Sequence, residues 1–301
     1  MEFGRLEIDE LEAVDFTLPD DHPGNEAGAD KTKKTQIHIG CAKWGRKDWV
    51  GTIYPPKTKE DDFLSHYAKH FNSVELNATF YKIPSRKQTE AWSAKVGDDF
   101  LFCPKVSQSI THIRRLKNAT EAADRFLQGV SGFGNKLGPL FLMLHPGMAP
   151  KTLENVDAFL EYLPEDFNVF VEVRHADWFS TESLDALSNV LHKHGAGLVI
   201  TDAAGRRDCV HMRMTNNQTF IRFVGNGLHP SDYTRIDAWV QRIRKWINMG
   251  VERIFFFMHQ HEEVHSPVLC RYLIQQVNKH CRVTIPEPSL YTSSIGDHPS
   301  G

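Results

Sequence analysis

The sequence predicts an α/β protein of the TIM-barrel type, a (β/α)8 barrel with one irregular crossover between strands 6 and 7. Three observations predict it. Eight short β-rich apolar runs alternate with amphipathic helical runs over roughly 250 residues, the usual size of such a barrel. The runs are apolar almost throughout, as in Leu140-Phe141-Leu142-Met143-Leu144 and Val169-Phe170-Val171-Glu172-Val173, which suits parallel strands covered on both faces. The first strand exits through Gly40-Cys41-Ala42-Lys43-Trp44-Gly45, which is neither of the glycine-rich phosphate loops, so an open doubly wound sheet is disfavoured.

Taken in order, the strands are expected at 36–41, 73–77, 100–105, 140–145, 169–174, 198–202, 219–224 and 253–259. Phe63, Leu64, Tyr67, Ala68 and Phe71 form one helical stripe, and Ile236, Trp239, Val240, Ile243, Trp246 and Ile247 form another. Ser85 with Gln88 makes a capping box that opens the helix carrying Trp92. Further helices are expected at 120–132, 152–163, 181–194 and 266–280. Between Asp202 and Thr219 no stripe is present, hence the irregular crossover.

The ends differ from this body. Residues 1–35 carry ten acidic and four basic side chains, a balance of -6, so the rest of the chain is near +3 although the whole is -3. Phe3, Leu6, Ile8, Leu11, Val14, Phe16 and Leu18 recur too often for a purely solvated tail, so docking of this segment on the main domain is an open alternative to a free extension. Residues 20–35 read as a flexible linker, 36–284 as the barrel, and the Pro- and Ser-rich 285–301 as a flexible tail.

Composition bounds the function. A core only mildly positive makes nucleic acid an improbable partner by charge alone. Cys41, Cys103, Cys209, Cys270 and Cys281 show no C-x-x-C pair, so neither a disulfide framework nor a thiolate zinc site is encoded. No leader pattern is visible and no stretch reaches the roughly 18 apolar residues of a membrane helix. A cytoplasmic protein without a membrane partner is expected.

A barrel places its chemistry at the C-terminal ends of its strands. Polar residues are dense there: Glu75, Asn77, Lys105, His145, Glu172, Arg174, His175, Asp202, Arg222 and His259. Charges turned into a barrel are costly unless paired or ligand-bound. The favoured reading is a small-molecule enzyme for an anionic, phosphorylated or carboxylated, sugar-like substrate. Lys105, Arg174 and Arg222 would hold the anion, with Glu75, Glu172 and Asp202 as the acid and base set. Trp44, Tyr81 and Trp178 would wall the pocket or form a mini-core over the barrel. The competing view of the charges is that they neutralise one another as salt bridges.

Two other functions stand beside it. His145 and His259, with Glu172 and Asp202, could hold a divalent metal for a hydrolase such as a phosphodiesterase, though no local spacing supports a metal and the cofactor is left unknown. Aromatics beside Lys and Arg could instead serve a non-catalytic protein that binds a ligand or single-stranded nucleic acid.

At these residues the chain resembles the YecE-like family, domain of unknown function 72. The resemblance rests on Ile39-Gly40 with Trp44 and Asp48-Trp49, Tyr54-Pro55-Pro56, the run 71–77 with Thr79-Phe80-Tyr81 and Pro84, 102–105, Ile110-Thr111-His112, and Glu172-Val173-Arg174-His175 with Trp178-Phe179. It covers roughly 36–282 and implies a TIM-barrel-like fold without an established reaction. It also directs attention to Glu75, Asn77, Lys105, Thr111, Glu172, Arg174, His175, Asp202 and Arg222. The chain departs from the family pattern at His145-Pro146-Gly147 and at His259-Gln260-His261-Glu262-Glu263.

Overall fold

The structure, a computed structural model, describes residues 3–25 and 34–291. All eight strands form: β1 Gln36–Cys41, β2 Ser73–Leu76, β3 Leu101–Pro104, β4 Leu140–Met143, β5 Val169–Glu172, β6 Gly197–Asp202, β7 Gln218–Gly225 and β8 Arg253–Gln260. Every ladder is parallel, and between the strands lie α1 Phe63–Tyr67, α2 Ala78–Tyr81, α3 Arg86–Ser93, α4 Thr120–Val130, α5 Leu153–Tyr162, α6 Thr181–Lys193 and α7 Pro230–Met249, with α8 Ser266–Cys281 after β8. The Ser85 box is half present: Ser85 Oγ accepts from Gln88 N at 3.2 Å.

The closed ladder expected from the sequence is interrupted. Six strands form one curled sheet in the order β1-β8-β7-β6-β5-β4, and β2 pairs only with β3. At the β3/β4 seam two backbone bonds remain, Gly138 N to Phe102 O at 2.7 Å and Val106 N to Phe141 O at 2.9 Å. At the β1/β2 seam side chains replace the ladder. Asn72 accepts from Ile39 N and donates to Ile37 O, both at 2.8 Å. The Tyr67 hydroxyl accepts from Cys41 N at 2.7 Å and donates to Ser73 O at 2.9 Å. The backbone groups of the seam are thereby satisfied without strand pairing. Gly40 permits the approach, because a Cβ there would lie 1.9 Å from Ser73 O.

Strand alternation separates two cores. The outer one packs Trp178, Trp239, Trp246 and the helix stripes against one face of the strands. The inner one is dominated by aromatics from β4 to β8 (Phe141, Phe170, Phe220, Phe255 and Phe257) together with Phe80, Cys103, Met143 and Val199. Phe220 lies 4.9 to 5.5 Å from the rings of Phe141, Phe170 and Phe257.

Between β6 and β7 only one short turn, Arg207–Cys209, is helical. Residues 3–25 pack there. Gly4 O accepts from Gly205 N at 2.9 Å, Met212 O accepts from His22 N at 3.3 Å, and Asn25 bonds Met212 O and Met214 N at 2.7 and 2.8 Å. Asp21 pairs with Arg242 at 2.8 Å and Lys245 at 2.6 Å and accepts from Trp246 Nε1 at 2.8 Å. The flexible linker expected from residue 20 therefore does not begin there, because the ion pairs of Asp21 and the hydrogen bonds of His22 and Asn25 hold this stretch; residues 26–33 lie outside the described part. Residues 285–291, expected to fray, also return to the body: Asn278 bonds both backbone groups of Ile285 at 2.8 Å, and Tyr291 N donates to Thr52 O at 2.7 Å. The rest of that tail, 292–301, is outside the described residues. Among the described residues no helix is long and apolar enough to cross a membrane.

The seam makes a direct test possible. Tyr67→Phe leaves Cys41 N and Ser73 O without their shared partner, an expected loss of about 1–3 kcal/mol in urea unfolding. Gly40→Ala, which forces a methyl onto a backbone oxygen, is expected to lose more stability. Gly45→Ala, with open space around it, should stay near the parent.

Candidate functional site

Alternation turns Glu75, Glu172, Thr201, Arg222 and His259 to the inner face, one layer above the phenylalanines. Arg222 is 1% exposed and rests over the Phe141 ring at 4.6 Å. Its Nε and Nη2 grip the two oxygens of Glu75 at 2.7 and 3.0 Å, and its Nη1 donates to Glu172 Oε1 at 2.8 Å. The forked contact to Glu75 is the strong geometry for a guanidinium and a carboxylate. The remaining carboxylate lone pairs are also engaged. Thr201 Oγ1 donates to Glu172 Oε1 at 2.6 Å, Arg174 Nε to Glu172 Oε2 at 3.1 Å, and Asn77 Nδ2 to Glu75 Oε1 at 2.9 Å. His259 Nε2 lies 3.1 Å from Glu75 Oε2 and 3.3 Å from Arg222 Nη2, and its Nδ1 faces Glu263 at 3.6 Å.

These contacts set the protonation states. Burial alone would raise the Glu172 carboxyl, but Arg174 and Arg222, together with the Thr201 hydroxyl and Lys105, outweigh it and hold it at about 2. Glu75 is likewise buried yet kept well below the carboxylate range by Arg222 and His259. Both glutamates are thus ionised and only weakly basic, a poor match to the acid or base role expected of them. Arg222, expected to clamp a substrate anion, already faces two protein carboxylates.

Lys105 behaves differently. It is 8% exposed, its ammonium lies 4.4 Å from the Phe80 ring and 5.4 Å from the Phe141 ring, and among the described residues it has no hydrogen-bond or ion-pair partner. Burial and the charges of Arg222 and Arg174 push it down from 10.5 to about 7, against the pull of Glu75 and Glu172. Its backbone is held, since Lys105 N donates to Leu76 O at 3.1 Å and the Thr79 hydroxyl has Lys105 O at 2.7 Å as an acceptor. Beside it the chain widens into one π-type turn, Ser109–Ile113, a feature frequent at functional sites. There Thr111 Oγ1 lies 2.9 Å from His112 Nδ1, and the His112 ring meets His145 at 5.1 Å. Burial, then His145, Lys105, Arg174 and Arg115, hold His112 at about 4. With Lys105 and Arg174 as its cations and the two imidazoles neutral, this forms a cationic mouth above the ion-pair layer. Only Nε of Arg174 makes a hydrogen bond among the described residues. Its guanidinium is stacked by Phe3 of the N-terminal segment at 4.2 Å, with Arg206 on the same ring at 5.0 Å.

Other expected site residues lie elsewhere. Asp202 is on the opposite strand face from Thr201, bound by Arg235 at 2.8 Å, by Arg207, and by Trp239 Nε1 at 2.7 Å, so it anchors α7 rather than facing the interior. Trp178 is fully buried and donates to Met148 O at 2.7 Å. Trp44 packs edge-on against Trp92 and Phe102 on the helix side, at 5.3 and 6.2 Å. His175 caps the turn Ala176–Phe179, and Tyr81 is 72% exposed. His145 and His259, expected to share a metal, have different partners, and among the described residues no three His, Cys, Asp or Glu side chains converge as ligands. Thr201, His112 and Glu263 were not singled out as site residues. Thr201 carried a signal, its alternation with Val199; His112 carried another, its place beside Thr111.

A cavity of about 810 Å3 opens at the other end of the strands, lined by His38, Asn72, Leu101 and Arg253 among others. It is roomy, but the interior charge network is not there, and the network is the better guide to chemistry.

Known proteins place this architecture in context. The family model described as "Protein of unknown function DUF72" matches residues 38–291. The chain is 29% identical over 270 residues to the UPF0759 protein YecE of Escherichia coli, covering 83% of this chain and 94% of that one. It is 29% identical over 202 residues to the UPF0759 protein YunF of Bacillus subtilis, covering 63% and 70%. A crystal structure of a DUF72 family protein from Enterococcus faecalis is similar with a TM-score of 0.66 at 16% identity, over 84% of this chain and 98% of that chain. One from Thermotoga maritima gives 0.63 at 20% identity, over 82% and 100%.

The ion-pair layer generates a pH test. Depressed glutamate pKa values stabilise the fold fully above the ordinary 4.5 and lose that contribution as pH falls toward about 2. Arg222→Met strands two buried carboxylates and is expected to cost about 3–5 kcal/mol at neutral pH. Its thermal midpoint should fall less than that of the parent on acidification, because its carboxyls are then neutralised by protons.

Proposed function

We propose, for a chain that belongs to the DUF72 family of proteins of unknown function, that it is a small-molecule enzyme whose anionic substrate sits at the C-terminal ends of its strands. The observation that carries this reading is the buried Lys105 amine, unpartnered among the described residues and flanked by Arg174, Arg222 and His112. A purely structural lysine at this depth would be ion-paired. Here the two nearest carboxylates are bound by Arg222, Arg174, Asn77 and Thr201, so the cationic mouth lacks a counterion that a phosphorylated or carboxylated compound would supply. We read the two sheets as one eight-stranded barrel interrupted at its seams, which makes this mouth its catalytic face.

The roles follow from the charges. Arg174 and Lys105 meet the anion, while the Glu75-Arg222-Glu172 layer holds a fixed electrostatic floor. The reacting group is Lys105, whose amine near pH 7 is divided between its two protonation states. This replaces the acid and base pair of glutamates as the source of proton chemistry, since both are held ionised.

Two measurements test the reading. Lys105 is lowered from 10.5 to about 7 on folding, so it destabilises the protein below about 7 and the penalty fades as pH rises toward 10.5. Lys105→Met should therefore raise the thermal midpoint by a few degrees at neutral pH and by little at high pH. In a thermal-shift panel of phosphate, phosphate esters and small carboxylates, at least one anion should stabilise the parent, more weakly as pH rises past 7, and should lose most of its effect in Lys105→Met and Arg174→Ala. A panel in which no anion acts, or in which both variants respond like the parent, overturns the reading.

A further inference from the structure

Lys105 is a buried residue whose amine is unpartnered among the described residues and walled by two aromatic rings, and these features bear on more than anion binding. We propose that Lys105 forms an imine with the carbonyl carbon of a small anionic ketone or aldehyde, a keto acid or a phosphorylated carbonyl compound. The proposal rests on the reading of the mouth given above and adds the electrophile.

A nucleophilic lysine needs a neutral amine, a fixed position and little competing hydrogen bonding. Each condition has a local cause. Phe80 and Phe141 lie 4.4 and 5.4 Å from the nitrogen and offer it no lone pair, only ring faces. Arg222 and Arg174 add like charge that disfavours the ammonium. The Lys105 N–H donates to Leu76 O at 3.1 Å and the Thr79 hydroxyl reaches Lys105 O at 2.7 Å, so the stem projects from a held strand end. The acceptors that could draw the amine into a salt bridge, Glu75 and Glu172, are engaged by the ion-pair layer.

Charge selects the substrate class. Glu75 and Glu172 are balanced by Arg222 and Arg174, so an iminium at Lys105 would leave the mouth with one uncompensated positive charge. A carboxylate or phosphate on the same molecule neutralises it, and Arg174 offers its Nη donors. In the step itself the amine lone pair forms the C–N bond while the carbonyl π pair moves to oxygen and, with transfer of the amine proton, gives a carbinolamine. That oxygen then takes up one proton from solvent and leaves as water. The balance is amine plus carbonyl plus one proton to iminium plus water. The imidazole of His112, neutral at pH 7 and within the field of the Lys105 amine, is the nearest proton carrier, with His145 behind it at 5.1 Å between ring centres. The iminium withdraws electrons from the adjacent carbon, so the reaction class is proton or carbon–carbon bond chemistry next to a carbonyl.

The test is reductive trapping of the full chain with borohydride in the presence of pyruvate or dihydroxyacetone phosphate. Lactate and glycerol phosphate, anions of similar shape without the carbonyl, serve as controls in parallel with thermal-shift binding. The expected result is a stable secondary amine of the probe's mass on the peptide containing Lys105, at least tenfold above any other lysine, absent with the controls and absent in Lys105→Arg. If the anions stabilise the protein but Lys105 stays unmodified, the imine is overturned and the anion site stands. If adducts scatter over lysines equally in the parent and in Lys105→Arg, the imine is likewise overturned. If neither binding nor trapping occurs, both readings fall. The contrast between carbonyl and non-carbonyl probes within the parent keeps the test decisive even if Lys105→Arg fails to fold.

Discussion

A guanidinium with 1% exposure between a curled parallel sheet and a separate strand pair must be neutralised where it stands, because an unpaired charge at that depth costs several kcal/mol. The pairing of Arg222 with Glu75 and Glu172 is therefore the constraint on which the inner architecture depends. It spans β7, β2 and β5, so it links the separate β2-β3 pair to the six-stranded sheet across an interior where ladder hydrogen bonds do not. The phenylalanine layer beneath excludes water from the pair. The residues above, Asn77, Thr201, Arg174 and His259, satisfy the lone pairs and donors that the pair leaves over. Such a network is stable only when nearly complete, which explains why so many polar side chains converge on one level.

The same completeness leaves Lys105 as the exception. With both carboxylates engaged, a third cation at the strand ends has no counterion within the described protein, and its proton becomes loosely held. The ion pairs that make a charged interior tolerable thus also deprive a neighbouring lysine of a partner. Lys105, lowered from 10.5 to about 7 by burial and neighbouring cations, costs stability where Arg222 contributes it.

The seams and the N-terminal segment define the mouth from outside. Gly40, Asn72 and Tyr67 let β1 and β2 approach without pairing, and residues 3–25 cover the crossover that lacks a helix. One end of that segment places Phe3 on Arg174 and Arg206, so the acidic extension contributes an aromatic wall to the cationic face. Asp21 secures the other end against α7, which accounts for part of the charge asymmetry between the extension and the body.

By itself the sequence determined the eight strands, most of the helices, the irregular crossover and the concentration of charge at the strand ends, because hydrophobic periodicity and chain order are local properties. It also marked Glu75, Lys105, Glu172, Arg174 and Arg222 as a group. Tertiary structure alone decided which of these face one another, since pairing depends on strand register and on distances between segments as far apart as 147 residues in the Glu75–Arg222 contact. Register placed Thr201 inside and Asp202 outside although the two are adjacent. It turned Trp44 and Trp178 to packing and gave His145 and His259 separate partners. Of the two opposing readings of the strand-end charges, register realises the salt bridges for Glu75, Glu172, Arg174 and Arg222, and it leaves Lys105 outside them.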